Sequence, residues 1–292
     1  MKVIFEIAKN ELKILFFSPV AWLMLVVFTV QTGLQFADIF NGTISYFALG
    51  HTSGGDLTHN IYSNTFFGFF TRVQQYLYLY IPLLTMGIMS RETSSGSIKL
   101  LFSSPINNFQ VITGKYLSLT IYNLLLMLPL FLYAIFGYFT IVDMDFPLVL
   151  TGILGLYLLA CAYAAIGLFM SGLTTYQTVA AIGTFATLAA LTYVGRVGQT
   201  IPLVRDITYW LSITGRASEF IRGLISSEDL LYFFIISAMF LSLAVLQLKN
   251  KRSQSSLAGR MGSYVAVLLI AVFMGYLSSR PSLMAYYDST RM

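Results

Sequence analysis

Charge is scarce in this chain. Only 10% of its 292 residues are Asp, Glu, Lys or Arg, whereas a water-soluble domain carries about 25%. With a mean hydropathy of +0.76, this deficit points to a membrane protein before any motif is read. The single cysteine, Cys161, lies in an apolar run, so no disulfide framework exists. Histidine is limited to His51 and His59, which flank Asp56 without a third strong metal ligand at a useful spacing. A net charge of +5, small and dispersed, excludes a nucleic-acid footprint. No small-residue cleavage site follows the first apolar run, where Gln31, Gly33 and Gln35 stand, so a cleaved signal peptide is not expected. The chain has no phosphate loop, no H-E-x-x-H and no G-x-S-x-G. The apolar runs hold almost no ionisable residues, which argues against an ion-coupled transporter.

What is present is a series of apolar runs separated by polar intervals. Residues 3–17 alternate at helical period. Val3, Ile4, Ile7, Leu12, Leu15 and Phe16 form one stripe, and Lys2, Glu6, Lys9, Asn10 and Lys13 lie opposite. Such a helix lies in the membrane interface. Ser18-Pro19 ends it, because proline cannot continue a helix interior. Spans are expected at about 20–37, 73–89, 116–139, 148–170, 177–194, 229–248 and 261–278, each near the ~20 residues that a crossing needs. Tyr76, Tyr78 and Tyr80 crowd the second, and Pro82 should kink it. Residues 38–72 read as a loop with some interfacial structure, including a sequon at Asn41-Gly42-Thr43. Asp143, Asp145 and Pro147 make a tight turn. Residues 195–228 contain Trp210, Phe220 and the spacing of a two-faced helix. Residues 249–260 form a basic, serine-rich link, and the tail from 280 to 292 carries no folding signal.

Lysine and arginine set the expected orientation. The N-terminus, the 90–115 interval and the 249–260 link hold all seven lysines and three arginines against three acids. The other side holds seven arginines against nine acids. The first side is therefore expected to be cytoplasmic and, with seven spans, the C-terminus extracytoplasmic.

The polar interval 89–117 is the most informative stretch. It has a charged turn (Arg91, Glu92), a short amphipathic segment over 97–102 ended by Ser-Ser-Pro, and a second segment closing on Gly114-Lys115. A plain membrane loop needs only a few polar residues, so a two-faced internal helix suggests a surface that holds another protein. Arg91-Glu92, then Gly96-Ser97-Ile98-Lys99-Leu100-Leu101, Ser104-Pro105 and Gly114-Lys115, resembles the cytoplasmic loop after the second span of ABC-2-type exporter permeases. The helix over 3–17 is similar to that family's elbow helix. The run Phe220-Ile221-Arg222-Gly223-Leu224-Ile225 resembles the pattern before its last core span. The resemblance covers about residues 1–250. The link, the seventh span and the tail resemble the opening of the companion subunit in gliding-motility-associated (Gld-type) ABC transporters of Bacteroidetes.

The resemblance implies an all-α integral membrane protein. A permease domain would occupy 1–248, a basic cytoplasmic link 249–260, and an extra span with the start of an extracytoplasmic segment 261–292. It implies a docking surface for a separate ATP-binding cassette subunit at Arg91, Glu92, Gly96, Ile98, Lys99, Leu101, Phe102 and Pro105. Glu92 would be the principal polar contact, or a charge complementing its helix dipole. Ile98, Leu101 and Phe102 would face either the ATPase or the permease's own base. Gly96 would allow a tight turn and Pro105 would end the helix. Trp210, Phe220, Arg222 and Gly223 would close an outer gate or anchor in the interface. ATP and Mg would belong to the partner, and this chain would be no enzyme. A second permease copy, membrane lipid and an extracytoplasmic partner are expected, in the inner (plasma) membrane. The rival expectations are mechanotransmission without substrate translocation and a membrane scaffold.

Overall fold

The computed structural model describes residues 2–49, 57–64, 66–194, 211–252, 257–278 and 286–288. The described residues are almost wholly helical. Among them, four helices are long and apolar enough to cross a membrane: α2 (Pro19–Ala48), α6 (Asn108–Thr140), α7 (Phe146–Leu173) and α10 (Ser227–Arg252). The remaining helices are α1 (Lys2–Phe17), α3 (Phe69–Thr85), α4 (Ser90–Ser95), α5 (Ile98–Ser103), α8 (Gln177–Tyr193), α9 (Ile213–Ile221) and α11 (Leu257–Ser278). A π-helical turn covers His59–Ser63.

The core is built around α7. Buried residues make up 72% of its most apolar window, against 28% for α2 and 44% for both α6 and α10. Its sequence explains this position. Without a hydrophobic driving force between helices in lipid, close packing relies on small residues. A methyl group at Gly155 would sit 2.3 Å from Phe220 Cβ of α9, and one at Gly152 would sit 2.5 Å from the Phe70 ring of α3. These glycines let α3 and α9 pack directly on the α7 backbone.

Several sequence expectations change. The interval 38–72 is not a loop throughout: α2 runs to Ala48, about 45 Å at the helical rise. Phe36 and Phe40 keep packing on Phe136 while the polar residues after them face outward, so nothing stops the helix. α6 starts at Asn108 rather than near 116, because Gln110 Oε1 accepts the Asn107 N–H at 3.2 Å and caps it. The described residues of the 249–260 link are helical. α10 continues to Arg252, its three terminal cations complementing the helix dipole, and α11 begins at Leu257. The tail does carry structure: β2 (Tyr286–Asp288) pairs antiparallel with β1 (Leu224–Ser226).

The Asp143–Asp145 turn takes the expected form. Asp143 adopts φ 56°, and Asp145 Oδ1 accepts the Leu148 N–H that opens α7. The tyrosines of α3 are structural struts. Tyr80 and Tyr76 donate to Gln31 and Gln35 of α2 at 2.5 and 3.0 Å, and Tyr78 donates to Phe185 O of α8.

Candidate coupling surface

Pro82 lies in the last turn of α3, and the helix ends at Thr85. The chain then needs partners for the N–H groups that open the next element. Ser171 of α7 supplies them. Its Oγ accepts from Met89 N at 3.0 Å and Ser90 N at 3.1 Å while donating to Met86 O at 2.8 Å. One buried hydroxyl thus sets where α4 leaves the bundle. Gly96, at φ 75°, turns the chain through the left-handed region that glycine tolerates best. α5 follows and ends at Ser103, just before Ser104-Pro105.

The expected charged turn at Arg91-Glu92 is therefore a short helix, α4, while the amphipathic segment over 97–102 forms α5, and the faces of both are now assigned. Ile98 is buried, and Leu101 and Phe102 pack against the core. These three face the helical bundle. Arg91, Lys99, Leu100 and Pro105 are exposed, with Leu100 at 76%. Nothing in the sequence singles out Leu100; its place opposite Ile98 on a six-residue helix becomes clear only once the buried side is known.

Glu92 is not an open surface contact. Its Oε1 lies 2.7 Å from Nζ of Lys115, which also reaches Glu11 Oε1 at 2.5 Å and Ile88 O at 3.2 Å. The Lys115 side chain is only 1% exposed and that of Glu11 7%. The cluster joins α1, α4 and α6. Gly114 makes it reachable, because a methyl there would meet Ile7 Cβ at 2.8 Å and Ile4 O at 3.0 Å. The buried face of α1 is accordingly Ala8, Glu11 and Leu15, not the whole apolar stripe; Val3 and Phe16 are exposed. Sequence reasoning missed Glu11 as a partner, since its position among lysines matches a solvated face. The end of α10 grips the same region. Lys251 Nζ donates to Gly172 O at 2.7 Å, and Arg252 donates to Ile106 O and Ser104 O.

A second ionic cluster lies at the opposite end of α10. Arg216 of α9 donates to Asp229 Oδ1 at 2.6 Å and Glu228 Oε1 at 2.8 Å, with its guanidinium 5.7 Å from the Tyr232 ring centroid. Burial lowers the Arg216 pKa, but the two carboxylates outweigh it and raise the pKa above its ordinary value. Among the gate candidates, Phe220 is fully buried against α7 and Phe233. Arg222 is exposed, 3.5 Å from Glu219, and Gly223 takes φ 87° at the turn into β1. The structure thus places Phe220 in the packing and Arg222 on the surface. Trp210 lies outside the described residues, as do His51 and Asp56. His59 Nδ1 hydrogen-bonds Ser63 Oγ at 2.6 Å.

No family model matches the chain. A stretch of 54 residues, 18% of the chain, is 37% identical to part of “Uncharacterized protein YhcI” of Bacillus subtilis (strain 168) and spans 17% of that protein.

Proposed function

We propose that this chain is the transmembrane subunit of an export-type ABC transporter of the ABC-2 class. The observation that carries this reading is the α4–α5 projection, anchored by Ser171 and Lys115 and exposing Arg91, Lys99 and Leu100. A helical pair anchored by buried polar contacts and exposing two cations and a leucine suits the transfer of force from a soluble motor. In this reading α3 and α8 join the four long helices as spans, with α11 as the seventh. The N-terminus is cytoplasmic, the C-terminus extracytoplasmic, and the membrane the inner (plasma) one. Two copies form the path. Two ATP-binding cassette subunits, which hold the ATP and Mg, dock at α4–α5 beside the elbow helix α1. Displacement of α4 passes through Lys115 to α1 and α6.

The test is purification of the full chain from native membranes with assay of ATPase activity. Wild type is expected to bring down a nucleotide-binding subunit, and Lys99→Glu/Leu100→Asp to lose or uncouple it. Both positions are exposed, so this variant is expected to fold. An ATPase retained equally by the variant, or no ATPase with wild type, sinks the docking reading and leaves a membrane scaffold.

A second reading keeps the motor but moves no substrate: a mechanotransmission component of a gliding-type or envelope machinery. The β1–β2 pairing favours it, because it links the segment after α11 to the turn that follows α9. Partner ATPase activity that depends on this chain, without export in sealed vesicles, would select that reading.

A further inference from the structure

We infer that α1 and α6 form a binding site for one anionic phospholipid. A groove of about 410 Å³ runs between α1 and α6. Phe5, Leu12, Phe16 and Ile121 line its apolar part, and Lys9 and Lys13 stand beside it. Phe5, Phe16 and Ile121 are all exposed. The apolar track does not stop at the groove: Leu124 and Leu128 continue it along the exposed face of α6. A headless apolar ligand would leave the two cations unused. A free anion would leave the track uncovered. A phospholipid answers both, with its phosphate at the lysines and an acyl chain along the track.

The charge pattern supports this occupant. Lys9 and Lys13 are one helical turn apart, exposed, and without an ion-pair partner among the described residues. Lys115, by contrast, is consumed by Glu11 and Glu92. Glu6, one turn before Lys9, lines the neighbouring opening with Lys2 and Leu117 and does not line this groove. Lysine stems can run along apolar surface while the ammonium reaches a headgroup, and an interfacial helix with such lysines is drawn to anionic lipid. The site depends on the helices crossing a bilayer, and not on the ATPase reading.

The test uses the purified full chain in neutral detergent. Dioleoylphosphatidylglycerol or dioleoylphosphatidylcholine is added, and retained lipid is counted by native mass spectrometry. Wild type is expected to retain one phosphatidylglycerol at least about tenfold in preference to phosphatidylcholine, with each of Lys9→Gln and Lys13→Gln lowering that preference about fivefold. Ile121→Trp, which fills the groove, is expected to reduce retention of both lipids. Equal retention of the two lipids by wild type overturns the proposal, as does a preference unchanged in Lys9→Gln/Lys13→Gln. Saturation of the site by glycerol 1-phosphate alone also overturns it, because the apolar track would then contribute nothing. Loss of a second copy or of an ATPase from the lysine variants, with lipid preference intact, assigns the groove to that partner instead. Lipid preference that survives in Lys99→Glu/Leu100→Asp separates this site from the docking reading.

Discussion

Lys115 Nζ sits 2.7 Å from Glu92 Oε1, and the same nitrogen holds Glu11, 104 residues earlier in the chain. A cation this deeply buried is costly to desolvate and depends on both carboxylates. Lys115→Met is expected to lower stability by about 3–5 kcal/mol, since it leaves Glu11 buried without a counter-charge. Adding Glu11→Gln should recover part of that loss. Thermal unfolding of the two single variants and the double variant gives the coupling directly, and additive losses would show that the pair does not act as a unit.

Ser171 serves two N–H groups with one oxygen. Ser171→Ala orphans both, at about 1–3 kcal/mol for each buried donor. The expected sign is local: faster amide exchange over residues 89–95, with the rest of α7 unchanged. Uniform protection at wild-type levels would mean that α4 is held by other contacts.

Gly155 and Phe220 pack backbone against ring base, with no room for a methyl. Gly155→Ala is expected to displace α9 and destabilise the protein by about 1–3 kcal/mol through overpacking. Phe220→Leu in the same chain keeps the Cβ and Cγ that the methyl meets and should not relieve it. Apparent melting temperatures of the pair, compared with the singles, test this.

Arg216 divides its guanidinium between two carboxylates. Lysine is a point charge and does not reproduce that fork. Arg216→Lys is therefore expected to be destabilised, and Arg216→Met more so, because Asp229 is then left buried and unpaired. Both losses should appear in thermal unfolding at neutral pH. Equal stability of the lysine variant would show that net charge alone suffices.

Much of the helical framework was legible in the sequence. Ser18-Pro19, Gly96, Ser104-Pro105 and Asp145-Phe146-Pro147 each mark a real helix boundary, because backbone chemistry acts over a few residues. The interval 89–117 stood out by its polarity. Its buried and exposed faces did not, because a six-residue helix with four apolar residues has no unique buried side until its neighbours are known. Likewise, Arg222 and Phe220 lie close together in sequence yet differ wholly in burial, since α9 meets α7 along one side only.

The sequence by itself determined that this is a helical protein with runs long and apolar enough for a membrane, and where most of those runs break. Those properties follow from local hydropathy and from the geometry of proline, glycine and capping residues. Only the tertiary structure decided that α7 is central, that Ile98 faces inward while Leu100 faces out, and that Lys115 is buried between Glu11 and Glu92. Periodicity marks which residues share a face. It does not specify which distant carboxylate a lysine will meet, because that encounter depends on how closely two helices approach, and here Gly114 sets the approach.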